Sequence, residues 1–324
     1  MKKALVAAVA ALLALPGMVR AQDYPTRPIT MIIPFAAGGP TDVLGRVVAA
    51  RMSEILGQQI VIENATGAGG MTGANRVKTA PPDGYQILLG TVGTQAQVQN
   101  LSRKPLYDAG KDFQPVALLA EVPLVLIVRK DLPVSTFEEF VAYAKANRGK
   151  MNYGSAGAGS ATHLGCVLLD QAIGADAQHV PYKGTGPAMA DLQAGRIDFL
   201  CEIVVSAVPQ VQAGTVRALA TLSRDRSPVL PDLPTAYEKG FQNIQAYTWT
   251  ALMFPKGTPA PIVVKMRDAT LATLAEPEVR RQLQTLGASI VSSDRTTPEY
   301  LGKFVQNEID KWAGPIRDSG AVIQ

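Results

Sequence analysis

The residues of this 324-residue chain with the most chemical potential sit in glycine-rich loops. The stretch PFAAGGPTDVLGRVV, residues 34–48, places Gly38, Gly39, Thr41 and Asp42 between an apolar run and the first turn of an expected helix. A second stretch, YGSAGAGSATH, residues 153–163, sets three glycines with Ser155, Ser160 and Thr162 ahead of another helix. A glycine loop at a helix N-terminus presents unpaired backbone N–H groups and the positive end of the helix dipole, and both favour an anion. Gly38 and Gly39 let backbone approach a ligand closely, while Thr41 or Asp42 can cap the following helix. For the first loop alone, a plain turn and cap accounts for the residues as well as an anion site does. Two such starts suggest a clamp. Each offers neutral hydrogen bonds worth about 1.5–3 kcal/mol apiece to a charged acceptor, which suits reversible capture of a small organic acid.

Catalytic readings are poorly provided. GAGGMTG spaces Gly67, Gly69 and Gly73 as G-x-G-x-x-x-G, and GAGSAT puts Thr162 where a dinucleotide fingerprint needs its third glycine. Neither Ser155 nor Ser160 lies in G-x-S-x-G. The chain has two histidines, His163 and His179, and lacks H-E-x-x-H, so hydrolytic and zinc chemistry have few groups to work with. His163 falls three residues after Ser160, where a first-turn structural role competes with ligand contact. Asp198 either faces a cleft or pairs with a basic residue. Glu202 follows a strand, whose end points into the crevice of an α/β fold. A carboxylate there repels an anionic ligand unless it meets a hydroxyl, an amine or water.

The elements that must position these residues follow a repeated grammar. Residues 29–33 read as a buried strand, after which Val43, Leu44, Val47, Val48, Ile55 and Leu56 recur with helical spacing. Residues 59–62 and 86–89 give further strands, each ahead of a glycine loop. A second set begins with a strand at 124–128 and a helix capped by Ser135 or Thr136, with Glu138 or Glu139 three residues on. There follow the strand, glycine loop and helix around residue 160, then a strand, a helix opening at Gly186-Pro187 and stopping at Gly195, and a strand at 197–200. Strands alternating with helices argue for an α/β fold with a mostly parallel sheet, in two lobes. Amphipathic helices fill the C-terminal tail. Their return to the first lobe makes two chain crossings, near residues 121–126 and 247–254, with Tyr247, Trp249 and Phe254 as hinge packing. The interlobe crevice is then the natural ligand site.

Bulk properties narrow the setting. Lys2 and Lys3, an apolar run over residues 4–15 and Val19-Arg20-Ala21 form a secretory signal over residues 1–21, with an exported mature chain from Gln22. Removing Lys2, Lys3 and Arg20 takes the formal net charge from +4 to +1, which gives no reason to expect a nucleic-acid or anionic-membrane partner. With 47% apolar residues, burial is not limiting, and the length favours two lobes over one core. Cys166 and Cys201 match no metal spacing; export permits a bridge, but two separately buried thiols are the plainer expectation.

Several blocks carry a family resemblance: YPTRPITMIIPFAAGGPTDVLGRVV, IENATGAGGMTGA, PPDGYQILLG, YGSAGAGSATHL, HVPYKGTGPAMADLQAGRIDF, RSPVLPDLPT and FPKGTPAPIV. In this order they resemble the Bug-type periplasmic receptors of tripartite tricarboxylate transporters. The resemblance implies a two-lobed periplasmic-binding-protein type II fold, with lobe 1 at residues 22–122 and 251–324 and lobe 2 at 123–250. It implies a monomeric receptor without cofactor or metal, which closes on a small carboxylate and passes it to a membrane permease. Ligand contacts are expected from Phe35, Ala36, Gly38, Gly39, Thr41 and Asp42 in one lobe, and from Ser155, Gly157, Ser160, Ala161, Thr162 and His163 in the other. Thr91, in GTVGT, together with Gly184 and Glu202, completes the pocket, and ordered water bridges part of it. Two departures bear on the ligand. Ala65-Thr66 stands where the family commonly has Arg-Pro, and Cys201-Glu202 where it commonly has Phe-Asp. Dicarboxylate, aromatic acid and acidic amino acid all stay open. The alternative is an exported α/β enzyme acting on such an acid, with His163 or Glu202 as base.

Overall fold

The computed structural model describes residues 24–101 and 104–319; the signal segment 1–21 lies outside the described residues. Strand β1 (Ile29–Ile33) is an apolar run between Pro28 and Pro34, and helix α1 (Pro40–Leu56) follows, closed by Gly57 at a φ of 68°. Next come β2 (Ile60–Asn64), α2 (Met71–Lys78), β3 (Gln86–Thr91) and a π-helical turn over Gly93–Gln97 that runs into α3 (Val98–Leu101). Strand β4 (Phe113–Arg129) is 17 residues long. Beyond it lie α4 (Phe137–Ala146), β5 (Asn152–Ser155), α5 (Ala161–Ile173), β6 (Gln178–Pro181), α6 (Thr185–Gln193), β7 (Phe199–Ile203), α7 (Val204–Gln212) and β8 (Val216–Thr221). The chain returns on β9 (Tyr247–Pro255) and ends with α8 (Ala260–Ala275), α9 (Pro277–Thr285), β10 (Ser289–Ile290) and α10 (Pro298–Ser319).

The strands form one curled path in the order β2-β1-β3-β9-β4-β7-β5-β6, with β8 and β10 paired to β4. β4 serves both halves. Its residues 113–123 pair with β9, and its residues 124–129 pair with β7 and β8. The expectation of a mostly parallel sheet holds only away from this junction. β1 is parallel to β2 and β3, and β5 to β6 and β7, but every ladder made by β4 or β9 is antiparallel. A chain that leaves on one long strand and comes back beside it must run antiparallel to itself. The tail helices dock beside the first half, α8 on α1 and α10 along the π-helical turn.

Local signals read from sequence form as expected in α4, where the Thr136 hydroxyl accepts from the Glu139 N–H and the Glu139 carboxylate accepts from the Ser135 N–H. The cysteines depart from expectation. Cys166 and Cys201 form a disulfide, with Cα atoms 5.3 Å apart. Gly165 permits the approach: a Cβ there would lie 2.5 Å from Leu124 Cδ2 on β4, so α5 lies flat on the sheet and residues 35 apart in sequence come together. Among the described residues, no helix is long and apolar enough to cross a membrane, and no cluster could hold a metal ion.

Candidate functional site

A small crevice opens where the two halves of the sheet meet. The first half contributes Phe35, Gly39, Pro40, Thr41 and Thr91; the second contributes Ala156, Ser160, Ala161, Thr162, Thr185 and Ile203; Thr248 comes from the returning strand β9. Among the described residues, no Asp, Glu, Lys or Arg lines it. Instead, three of its hydroxyls, Thr91 Oγ1, Thr185 Oγ1 and Thr248 Oγ1, are buried without a hydrogen-bond partner. Buried polar groups are normally satisfied, so unpaired hydroxyls converging on one space mark a place where a ligand or water completes them.

The first jaw is built differently from the sequence expectation. Neither Thr41 nor Asp42 caps α1: Gly39 is the cap residue, with extended backbone and no side-chain bond, and Pro40 opens the helix. The Asp42 carboxylate reaches back to the Gly38 N–H at 2.9 Å and is held by Arg46 at 2.8 and 3.0 Å and by Asn64 Nδ2 at 2.9 Å. The same Asn64 amide donates to the Phe35 carbonyl, so one buried carboxylate ties the loop to β2. Burial alone would raise its pKa, but the bonds from Arg46, Gly38 and Asn64 outweigh that and lower it. Asp42 thus faces the scaffold, while the N–H groups of Thr41 and Asp42, with no intrahelical acceptor, remain at the helix start. Gly38 does not line the crevice. Its φ of +77° requires glycine, and a side chain there would meet nothing within 4 Å.

The second jaw is capped as expected. Ser160 Oγ accepts from the His163 N–H at 3.3 Å, and Thr162 Oγ1 accepts from the Ala156 N–H at 2.9 Å. Behind this loop, Ser155 Oγ bonds His179 Nε2 at 2.6 Å and accepts from the Gly157 N–H at 3.0 Å. His163 Nδ1 accepts from the Gly159 N–H, and its ring stacks on His179 with centroids 4.0 Å apart. Burial pushes His163 down to about 3, helped by His179, and burial pushes His179 down to about 4. Both imidazoles are therefore neutral at ordinary pH. Ser155, Gly157 and His163 brace the loop from behind and do not line the crevice.

Ala36 and Gly184 sit where the halves touch. The Ala36 N–H donates to the Lys183 carbonyl at 3.2 Å, and a Cβ on Gly184 would lie 2.7 Å from that of Ala36. Gly69 makes a second close approach, since a side chain there would run into the Ala158 carbonyl. Glu202 is wholly buried one residue before the crevice-lining Ile203. Its Oε1 accepts from the Ile203 N–H at 2.8 Å, Oε2 is unpartnered, and burial pushes the pKa up to about 7. Asp198, by contrast, pairs with Arg129 and accepts from the Asn152 N–H.

Sequence reasoning did not single out Pro40, Ala156, Thr185, Ile203 or Thr248. Thr185 had a usable signal, standing beside Gly184 at a helix start. Thr248 lay hidden among the hinge aromatics, and only strand alternation separates it from Tyr247 and Trp249.

The profile of the Tripartite tricarboxylate transporter family receptor, TctC, matches residues 44–321. The chain belongs to this family. The receptor is 42% identical over 310 residues to a protein from the TAR-I ttuE-ttuC' intergenic region of Agrobacterium vitis, covering 94% of this chain and 88% of that one. It is 36% identical to protein BugT of Bordetella pertussis over 308 residues, covering 94% and 93% of the two chains. Among solved structures, the periplasmic binding protein BugD superposes with a TM-score of 0.90 at 38% identity, covering 93% of this chain and all of that one. MatC of Rhodopseudomonas palustris, with bound malate, gives 0.88 at 41% identity over 90% of this chain and all of that one. Another R. palustris protein, with adipate, gives 0.87 at 34%, over 92% and 98% of the two chains. The two-lobed periplasmic-binding-protein fold and the solute-receptor class are thereby established, and the enzyme alternative is set aside.

Proposed function

We propose that the receptor captures a small organic carboxylate in the crevice between lobe 1, residues 22–122 and 251–324, and lobe 2, residues 123–250. The observation that carries this reading is the crevice itself: two helix N-termini and unpaired hydroxyls from opposing halves, with no charged side chain among the described residues. Backbone N–H groups at the starts of α1 and α5 are suited to a carboxylate, and the helix dipoles add favourable potential. An arginine would grip harder; neutral donors hold an anion reversibly, as a shuttle to a permease requires. Malate and adipate bound to relatives favour a dicarboxylate over an aromatic acid or an acidic amino acid. Export by segment 1–21 into the periplasm, monomeric action and delivery to a membrane permease complete the reading.

Calorimetry on the mature chain from Gln22 tests it, with malate, adipate, succinate, benzoate and glutamate each compared with its amide. Binding of an acid and not of its amide is the expected result. An acid at about 100 times its dissociation constant should add roughly 2.7 kcal/mol of stability. Silence across the acids overturns the proposal.

A further inference from the structure

We propose that Glu202 and Thr185 form a proton relay that reverses the hydrogen-bonding polarity of the crevice wall, so that carboxylate capture takes up a proton. The inference rests on the carboxylate reading above and adds a coupled ion to it.

The geometry begins with two adjacent unsatisfied groups. Glu202 Oε1 is committed to the Ile203 N–H, and Oε2 has no partner; Thr185 Oγ1 has none either and lines the crevice. The Thr185 hydroxyl is near enough to Glu202 to act on its carboxyl, as is that of Ser206, whose own proton goes to the Ile203 carbonyl. A hydroxyl has one hydrogen and two lone pairs, so its neighbour decides which of these it shows. With Glu202 ionised, the Thr185 O–H donates to Oε2 and its lone pairs face the crevice, which repels a carboxylate. With Glu202 protonated, the acid O–H donates to Thr185 Oγ1, and the threonine hydrogen turns outward to meet the carboxylate. The proton comes from solvent, and no other bond is made or broken.

Among the described residues, no charged group acts on Glu202. On α6, Asp191 bonds Tyr182 and Arg196; on β8, Arg217 bonds the carbonyls of Lys130, Leu132 and Val134. On β4, Glu121 pairs with Arg295 and Arg129 with Asp131 and Asp198; on α1, Asp42 and Arg46 pair with each other. α7 carries no titratable side chain, and the His163–His179 stack is neutral. Burial places Glu202 at about 7, so both of its forms are populated near neutrality.

Calorimetric titration of malate and adipate, repeated between pH 6.5 and 8.5 in two buffers of different ionisation enthalpy, measures the protons taken up. The wild type should weaken roughly five- to tenfold or more across that range and take up about half a proton or more near pH 7.5. Glu202→Gln presents a permanent donor to Thr185, so its affinity should be flat with pH. Thr185→Val should bind more weakly and also lose the pH dependence, and it keeps the test available if the glutamine variant folds poorly. Binding without proton uptake in the wild type, or unchanged pH dependence in Thr185→Val, overturns the relay while the carboxylate function stands. Failure of every acid in the panel to bind overturns both.

Discussion

The Ala36 N–H donates to the Lys183 carbonyl at 3.2 Å, joining the first jaw to the start of α6 across the crevice. The next residue, Gly184, makes this approach feasible. Its φ of 164° is open to any residue, yet a Cβ would lie 2.7 Å from the Ala36 Cβ and 2.8 Å from its nitrogen. The atoms it would strike all belong to the opposite half, so Gly184→Ala should burden lobe closure and spare the folding of either lobe. Overpacking of this kind costs about 1–3 kcal/mol, and affinity should fall about ten- to a hundredfold with the ligand-free melting temperature nearly unchanged. Calorimetry and thermal unfolding check the pair; unchanged affinity would show that binding does not require this contact.

Asp42 supports the first jaw through ionic hydrogen bonds, and Asp42→Ala would leave the Gly38 N–H and the Asn64 amide short of an acceptor. The loss at pH 7 should be about 1–3 kcal/mol, partly because Arg46 is itself half exposed and screened. The folded pKa lies below its ordinary value, so this stabilisation is full above about pH 4 and disappears as the pH falls through the folded value. Urea unfolding of both proteins from pH 7 down to pH 3 should show the gap closing. A gap independent of pH would mean that packing, and not charge, sets the loss.

Buried histidines and a buried glutamate should pull stability in opposite directions with acid. Unfolding lets His163 and His179 return from about 3 and about 4 to the ordinary value of 6.5. The unfolded chain therefore binds more protons below pH 6.5, and acid destabilises by up to about 1.4 kcal/mol per pH unit per group. Glu202, at about 7 in the fold against an ordinary 4.5, holds a proton that the unfolded chain has released, so acid stabilises over that interval. Glu202→Gln removes the opposing contribution. Its stability should fall more steeply than the wild type's between pH 6.5 and 4.5, and exceed the wild type's most at pH 8. Parallel pH profiles for the two proteins would show that Glu202 is not titrating there.

What the sequence made legible was mainly local. The Ser160 cap, the Thr136 cap and the glycine stops act within a few residues, so their types and spacing carry the geometry. Asp42 was visible as a polar residue near a helix start, but its bond to Asn64 depends on β2 lying beside β1. Ser155 and His179 meet only because β5 and β6 pair in register, and the Cys166–Cys201 bridge needs α5 to lie on β7. The antiparallel junction was obscured for the same reason: the run at 124–128 reads as one short strand, whereas the fold extends it back to Phe113 to serve both halves.

The crevice threonines offer the sharpest separation of stability from function. Thr248 and Thr91 are buried, and neither hydroxyl has a partner. An unpaired buried hydroxyl destabilises a protein by about 1–3 kcal/mol relative to a satisfied one, and valine replaces it with a methyl of similar shape. Thr248→Val and Thr91→Val should therefore leave the free protein equally or more stable. On the proposed function, the same hydroxyls donate to the ligand, and losing one should weaken binding about five- to thirtyfold. Melting temperature and dissociation constant should move in opposite senses, a signature that general misfolding does not produce. If both variants lose stability, ordered water already satisfies these groups in the free protein. If both keep full affinity, the ligand lies elsewhere in the crevice, against the helix N-termini alone.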